Sequence, residues 1–472
     1  MTTERVLGTT STADGSALAT LALAPRENAL VARTADALMR WDVECEHPEV
    51  SLAGLFAPVW YENYPRAEHV WQSSSGTDDF EPKLGLIPLV FGTLKATLYS
   101  MLFGVPLALL AAIFSSEFLD KRLRVGVKST IEVMASLPSV VLGFLSAIVI
   151  APVVQGLLIE TLTALYMLPV ALLCGAYAWQ LLPQRWSVRA QGWPRFVGIA
   201  LMLPVGIAAA LLLGPPVERL LFAGDIEAWL HGSHGSALGG WVFFLIPLGA
   251  ASMALLSGRF VAPYFRRISR SWSRASCARL DLARFALSVV GTLALALAAG
   301  FALDSAGIDP RGGIVDTYVQ RNALVVGFIM GFAIIPIIYT LAEDALTSVP
   351  EHLRLASLGA GATPWQTAVR VIVPTAASGL FSAIMVGLGR AVGETMIVLM
   401  AAGNTPLLEW NAFSGFRTLS ANIAVELPEA VEGSTHYRTL FLAALTLFVM
   451  TFVVNTAAEI VRQRFRKRAF QL

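Results

Sequence analysis

The sequence predicts an all-α polytopic membrane protein, and three observations lead to this fold class. The chain is 56% hydrophobic and only 14% charged, whereas about a quarter of the residues in a soluble domain are charged. Its mean hydropathy is +0.65. From residue 86 onward, apolar segments of roughly 20 residues follow one another, which is the length that a helix needs to cross about 30 Å of hydrocarbon. The net charge of +1 gives no reason to expect a nucleic-acid partner.

About nine membrane spans are expected from these apolar segments. Pro and Gly interrupt the third and the fifth segment, although both residues are tolerated in membrane helices. The predicted spans are 86–114, 131–153, 157–182, 196–214, 241–258, 284–303, 323–342, 378–403 and 439–461.

Lys and Arg residues in the short loops predict the orientation, because such residues accumulate on the cytoplasmic side of a membrane. Twenty of them lie in one set of segments and five in the alternate loops, so the first set is expected to be cytoplasmic. With nine spans, residues 1–85 then lie outside. The cytoplasmic set consists of residues 115–130, 183–195, 259–283, 343–377 and the basic tail 462–472.

Residues 1–85 differ from the rest of the chain, since they are polar and lack a long apolar run. Partial alternation of apolar residues predicts strands over 17–24 and 29–43. The second segment contains Trp-Asp and resembles part of one propeller blade, which cannot bury its own faces. We therefore expect a small β-rich extracytoplasmic head, a remnant of a propeller-like domain. No signal peptide is visible that would carry residues 1–85 across the membrane. Either the span count is wrong by one or the natural protein begins with an additional helix, and we expect the additional helix.

The segment before the eighth predicted span has the pattern of a short helix–turn–helix lying on the membrane face. Gly359 and Gly361 are expected to end the first helix, and Thr363 is expected to cap the second. Pro374 is expected to end the unit. We name residues 350–374 the shelf. Its small residues would allow a cytoplasmic partner to approach closely, and an ordinary interhelical loop is the alternative.

The shelf resembles the cytoplasmic signature loop of ABC importer permeases. That loop has Glu-Ala-Ala, three residues, Gly, nine residues and Ile-x-Leu-Pro. The spacing matches throughout, and the resemblance implies that the shelf couples the permease to a separate ATPase. Leu355 stands where the family has Glu, which puts the acidic contact to the ATPase in doubt. The matching positions are Leu355, Ala356, Ser357, Gly361 and Pro374.

Four further stretches resemble PstC-type phosphate permeases, and the resemblance covers about residues 84–156 and 316–468. It implies the transmembrane fold of type I ABC importers. The long members of that family have an extra N-terminal span and an outer domain, as expected above for this chain. The four stretches are FGTLKATLYS at 91–100, EVMASLPSVVLGF at 132–144, GLGRAVGETM at 387–396 and FRTLSANIAVELPEA at 416–430.

The resemblance also suggests how the chain is divided. Residues 1–85 form the head, and residues 86–461 form the permease transmembrane domain. The core of that domain is 86–156 and 316–461, and residues 157–303 are an insertion relative to the compact form. Residues 462–472 form a basic cytoplasmic tail.

Charged residues inside predicted spans indicate the substrate path, because a charge at bilayer depth is costly. Arg390 and Glu394 are four residues apart and are expected to share one helix face. The Arg390 guanidinium suits two phosphate oxygens, with Glu394 partly neutralising it. Thr395 would add a hydroxyl donor, and Lys95 lies about ten residues into the first span. The alternatives are an ion pair that fixes packing, a Thr395 bond to the preceding turn and a Lys95 that snorkels outward.

The sequence contains no catalytic constellation. A P-loop is absent, because only Lys128 among the five lysines precedes Ser, and Val127 stands before it instead of Gly. The chain is therefore not expected to be an enzyme or to need a cofactor. His231 and His234 have no third ligand nearby in sequence, and the three cysteines lie far apart, so no metal site is expected either.

The resemblance implies a permease subunit of an ATP-driven phosphate importer in the bacterial inner membrane. Its partners would be a second permease subunit of the PstA type, a dimer of the ATP-binding subunit of the PstB type and an extracytoplasmic phosphate-binding protein. Three alternatives remain open at this point. They are transport of another oxyanion such as sulfate, an ion-coupled secondary transporter with Arg390 and Glu394 as a proton-linked pair, and a phosphate-sensing membrane scaffold.

Overall fold

The computed structural model describes most of the chain at full atomic detail. The described residues are 17–24, 29–34, 37–43, 51–61, 64–74, 82–183, 193–232, 234–269, 272–313 and 315–469. The chain forms two compact units. The first consists of Met1–Leu94, Pro406–Leu408 and Arg417–Val454, and the second of Lys95–Thr405, Glu409–Phe416 and Asn455–Leu472.

The β structure of the first unit is small, as the sequence predicted. Strands β1 (Thr20–Leu23), β2 (Ala29–Arg33) and β3 (Leu38–Asp42) form one antiparallel sheet in chain order. The predicted strand over 29–43 is therefore two strands. Thr34 ends the first of them, because its hydroxyl both donates to Ala37 O and accepts from Ala37 N–H in a tight turn. The described part of the second predicted strand thus folds back on itself.

A second group of elements in this unit builds an apolar core. The core side chains are Leu55, Trp71, Leu84, Leu86, Leu89, Leu419, Leu440 and Ala443. They come from α1 (Leu52–Phe56), β4 (Trp71–Gln72), β5 (Lys83–Leu84), the first turn of α2 (Ile87–Glu117), α15 (Leu419–Glu426) and α16 (Thr435–Ala469).

Glu426 is the buried polar centre of the first unit. Its carboxylate accepts from Trp71 Nε1 at 3.2 Å and from Ser73 Oγ at 2.8 Å. It also pairs with Arg417 at 2.8 Å and with His436 at 2.7 Å. Burial acts to raise the pKa of this carboxyl, but the hydrogen bond from His436 and the charge of Arg417 outweigh it, so the pKa lies below its usual value.

The second unit is helical. Its elements are the rest of α2, α3 (Lys121–Ala135), α4 (Ser139–Gly156), α5 (Leu158–Leu181), α6 (Pro194–Leu221), α7 (Ile226–Leu230), α8 (Leu238–Phe265), α9 (Arg274–Ser305), α10 (Ala323–Thr347), α11 (Glu351–Gly359), α12 (Pro364–Thr375), α13 (Ala377–Gly393), α14 (Met396–Ala401) and the end of α16.

Eight described helices are long and apolar enough to cross a membrane, or nine if the pair α12 and α13, bent by 70°, counts as one span. The nine predicted segments correspond to these elements, with two corrections. The second span begins at Ser139 instead of residue 131. Residues up to Ala135 belong to the separate amphipathic helix α3, and Pro138 stands at the N-cap of the helix that follows. The eighth predicted span, 378–403, is wrong as a continuous helix, since it breaks at Glu394 and Thr395 between α13 and α14.

The core of the helical unit is formed around α10, the most buried of the eight long helices. Glycines allow close packing there. A Cβ on Gly331 would lie 2.9 Å from Ser100 O of α2, and one on Gly387 would lie 2.5 Å from Ile338 of α10. In the predicted insertion, α5 packs along α6 and α8 packs along α9.

Candidate functional site

The shelf forms the predicted helix–turn–helix, made of α11 and α12. Gly361 ends α11 with φ at +87°, a left-handed conformation that favours glycine. Its N–H donates to Leu358 O at 3.0 Å, and the Ala362 N–H donates to Ser357 O at 3.2 Å. These two bonds form a Schellman motif, in which glycine follows the C-cap. Gly359 is the last helical residue of α11, so the helix ends where the sequence predicted, and Gly361 makes the left-handed turn that follows.

Thr363 caps α12, as predicted. Its hydroxyl accepts from the Gln366 N–H at 3.2 Å, and the Gln366 side chain accepts from the Thr363 N–H at 2.9 Å. This reciprocal pair is a capping box, which satisfies two N–H groups that the helix start would otherwise leave without a partner. The turn of the shelf is thus fixed at both sides by local sequence.

The outer surface of the shelf is partly apolar. Leu355 is 61% exposed and Trp365 is 60% exposed. Ala356 is also exposed, whereas the Ser357 hydroxyl lies 2.9 Å from the Thr367 hydroxyl and joins the two shelf helices. Large apolar side chains that cluster on a protein surface are typical of a docking site.

Two ion-pair groups that the sequence analysis missed connect the shelf region to neighbouring helices. Arg354 of α11 donates to Glu117 at the end of α2 at 2.8 Å. Lys128 of α3 donates to Glu343 and Asp344 at the end of α10, at 3.0 Å each. The hydrogen bonds to Asp344 and Glu343 raise the pKa of Lys128. Two adjacent acidic residues at the end of an apolar span indicate in the sequence that a cationic partner is needed. That partner could not be identified from the sequence, because Lys128 lies 215 residues from Glu343.

Pro374 lies two residues before the bend between α12 and α13. A wider, π-type turn over Ala368–Ile372 precedes it, and the helix continues to Thr375 before the chain bends by 70°. The unit therefore ends one residue after Pro374 instead of at it. Because proline has no N–H to donate, a local irregularity at this position is expected.

Arg390 and Glu394 do not share a helix face, which corrects the prediction. Arg390 lies in the last turn of α13, whereas Glu394 follows the end of that helix with extended backbone angles, φ −66° and ψ 127°. Arg390 is exposed, Glu394 is half-buried, and no ion pair joins them in the described chain. The structure thus places the guanidinium beside an interrupted helix.

Thr395 lies in the same break. Its hydroxyl donates to Gly393 O at 3.2 Å, so the backbone bond considered as the alternative for this side chain is the one observed. Close packing accompanies the break, since a Cβ on Gly143 of α4 would lie 2.8 Å from Met396 O.

Lys95 is completely buried in α2. Its ammonium donates to Ser414 Oγ at 2.8 Å and lies 5.8 Å from the centre of the Phe416 ring. It forms no ion pair with any described residue. Lys95 therefore does not snorkel to the interface. A buried ammonium with so little compensation is energetically costly, which is typical of a functional group.

The segment Glu409–Phe416, which lies against Lys95, is held from two sides. The Tyr99 hydroxyl donates to Trp410 O at 2.7 Å. Phe413 packs in an apolar cluster with Trp229 of the predicted insertion. The sequence analysis missed these contacts, because the segment lacks periodicity and its partners lie in distant parts of the chain.

No three His, Cys, Asp or Glu side chains in the described part of the chain come close enough to hold a metal ion. Cys174 and Cys277 are free thiols, and Cys45 lies outside the described residues.

Comparison with known proteins identifies the C-terminal part of the chain. Residues 254–467 match the family described as binding-protein-dependent transport system inner membrane component. The match begins in α8, so it also includes α9, which the sequence analysis assigned to the insertion. No solved structure matches.

Curated relatives match over shorter regions. The phosphate transport system permease protein PstC of Mesorhizobium japonicum is 34% identical over 145 residues, 31% of this chain and 44% of the relative. The probable ABC transporter permease protein YqgH of Bacillus subtilis is 36% identical over 133 residues, 28% of this chain and 43% of the relative. PstC of Haemophilus influenzae is 38% identical over 128 residues, which are 27% of this chain and 40% of the relative. The chain thus spans less than half the length of these relatives.

These matches agree with the helical architecture, with its eight or nine candidate spans, and with the resemblance seen in the sequence. The chain has the eight or nine candidate spans of a multi-pass membrane protein; its residues 254–467 match the inner membrane component of binding-protein-dependent transport systems, and it is similar in sequence to PstC-type permease proteins.

Proposed function

We propose that this chain is a permease subunit of an ATP-driven importer of inorganic phosphate, and that it forms half of the translocation path. The observation that carries the proposal is the similarity to relatives named phosphate transport system permease proteins, at 34 to 38% identity. Phosphate as the substrate rests on that similarity alone.

The shelf is the proposed contact with the ATPase. Its exposed Leu355 would fill an apolar depression where the signature loop of other permeases has an acidic contact. The ion pair between Arg354 and Glu117 connects the shelf to α2. A push on the shelf would therefore reach a membrane-spanning helix directly instead of being absorbed by a loose loop. The proposed partners are a dimer of a PstB-type ATP-binding subunit, a second permease of the PstA type and an extracytoplasmic phosphate-binding protein.

Arg390 is the proposed anion-binding group of the path. A guanidinium presents parallel N–H donors to two phosphate oxygens, and the exposed position on α13 leaves it available to a passing anion. Glu394 and Thr395 in the helix break would limit how tightly the anion is held. Lys95 is buried and would not bind the anion directly. Its positive charge would act through the segment that carries Ser414, to which its ammonium donates. The C-terminus is cytoplasmic in this proposal, and residues 1–85 are extracytoplasmic.

Two variants separate coupling from substrate binding. The chain is co-expressed with the proposed partners, and both the amount of ATPase subunit that co-purifies and ATP-dependent phosphate uptake are measured. Arg390→Gln should assemble normally and lose uptake, and Arg390→Lys should recover part of it, because the charge remains but the paired donors do not. Gly361→Asp should lose the ATPase subunit, whereas Gly359→Asp at the neighbouring exposed helical position should lose less.

Normal uptake by the Arg390→Gln variant would remove Arg390 from the path. Normal assembly and uptake by the Gly361→Asp variant would show that the shelf does not couple the two subunits. The first result would contradict the proposed substrate path without affecting the proposed coupling, and the second would do the reverse.

A further inference from the structure

A groove of about 700 Å³ lies beside the shelf, between the end of α2 and helices α5 and α6. Its volume lies within the range typical of ligand pockets in proteins, about 300–1,000 Å³. Almost all of its wall is apolar. The apolar side chains in the wall include Phe114, Phe118, Leu172, Phe196, Leu203 and Trp365.

The aromatic part of the wall forms a continuous row. Phe196 stacks on Phe114 with ring centres 6.1 Å apart, Phe114 stacks on Phe118 at 6.3 Å, and Phe118 lies 6.2 Å from Trp365. The row leads from the predicted insertion, across the end of α2, to the shelf. A ligand in this groove would therefore contact both the insertion and the shelf.

The groove lies at the side of the membrane that the charge bias predicts to be cytoplasmic. Residues 115–130 and 183–195 carry seven Lys and Arg residues and belong to the predicted inner set. The groove thus combines an apolar wall with a position on the side that this charge bias predicts to be cytoplasmic.

Among the residues that the structure describes, two charged side chains line the groove, and they have opposite signs. Arg195 is exposed and forms no ion pair with a described residue. Asp120 caps α3, with Oδ1 accepting from the Arg122 N–H at 2.9 Å, and it forms no ion pair with a described side chain. A ligand that matches this pair has an anionic and a cationic group at one end and an apolar body.

We infer that the groove binds one phospholipid whose headgroup carries a phosphate and a primary ammonium, a phosphatidylethanolamine. Arg195 binds the phosphate, Asp120 binds the ammonium, and an acyl chain lies along the aromatic row. An anionic phospholipid would satisfy Arg195 and place a negative headgroup beside Asp120 without compensation. The inference does not depend on the substrate or on the ATPase.

The test uses the full chain in nanodiscs that contain equal amounts of phosphatidylethanolamine and phosphatidylglycerol. The protein is transferred to detergent, and the lipid that remains bound is identified by native mass spectrometry. We expect one phosphatidylethanolamine per chain, in preference to phosphatidylglycerol. Arg195→Gln should weaken its retention about tenfold, because one charge-assisted hydrogen bond is lost. Arg279→Gln, which changes an exposed arginine outside the groove, should leave retention unchanged.

Two further variants test the geometry. Ala200 lines the groove, so Ala200→Trp should fill it and displace the lipid. Ala200→Leu provides a milder version if the tryptophan variant fails to fold. Asp120→Asn keeps a side chain that can cap α3 and should remove the preference for phosphatidylethanolamine over phosphatidylglycerol without abolishing retention.

Three outcomes would overturn the inference. They are equal retention of the two lipids by the unchanged protein, undiminished retention by folded variants at position 200, and displacement of the lipid by inorganic phosphate or glycerophosphoethanolamine at millimolar concentration. The last outcome would show a site for the free headgroup instead of a lipid.

Discussion

Replacing Gly361 by alanine should destabilise the turn of the shelf, whereas the same change at Gly359 should stabilise it. Both glycines are exposed, and a Cβ at either position would meet no atom within 4 Å, so neither change creates a steric clash. They differ in backbone conformation. Gly361 has φ at +87°, where a Cβ costs about 1–2 kcal/mol, and Gly359 is helical, where alanine gains up to about 1 kcal/mol over glycine.

The two effects add to a difference of about 2 kcal/mol between the variants, which corresponds to roughly thirtyfold in the local opening equilibrium. Hydrogen exchange at the amides of residues 351–376 measures this equilibrium, because these groups exchange when the turn opens. Gly361→Ala should exchange faster than the unchanged protein and Gly359→Ala more slowly. Equal exchange in the two variants would refute the assignment of the left-handed turn to Gly361.

Three other predictions follow from buried polar contacts. Arg354→Ala and Glu117→Ala should each destabilise the protein, and a double-mutant cycle of unfolding free energies should show a coupling of about 1–2 kcal/mol between them; additive effects would contradict the ion pair. Lys95→Met should leave thermal stability unchanged or raise it, because an apolar chain replaces a buried ammonium, and a fall in Tm of more than about 4 °C would contradict this. The pKa of Glu426 in the folded protein lies below its usual value, so its contribution to stability is present above the pKa of the unfolded chain and is lost as the pH falls through the folded pKa. Glu426→Gln should therefore lower the unfolding free energy at pH 7 by about 2 kcal/mol. It should also make the unfolding free energy less dependent on pH in the acidic range, and an unchanged dependence there would contradict the pairing with His436.

Much of the architecture follows from local sequence. Hydropathy predicts α2 and α10 closely, because an apolar run of that length has few alternatives to a membrane helix. Local chemistry also predicts the turn of the shelf. Thr363 with Gln366 three residues later is a capping box, and Gly361 provides the left-handed residue that a Schellman motif needs.

The break at Glu394 and Thr395 could not be predicted in the same way. The apolar run continues past it, and a spacing of four residues favours a shared helix face only if the helix is continuous. The close approach of Gly143 to the backbone at Met396 accompanies the break, and this contact joins residues more than 250 positions apart. Separations of this size also hid the partners of Arg354 and Lys95, since composition and periodicity carry no information about such pairs.

Phosphate uptake by the reconstituted complex distinguishes an ATP-driven phosphate importer from the alternative transporters. The chain is incorporated into vesicles with the proposed second permease and ATPase, and labelled phosphate and the phosphate-binding protein are added on the opposite side from the ATPase. Our account predicts uptake that requires ATP hydrolysis, that excess sulfate does not inhibit, and that Arg390→Gln abolishes. Uptake driven by a proton gradient without ATP would contradict it and indicate a secondary transporter, and equal uptake of sulfate would contradict the assignment of phosphate.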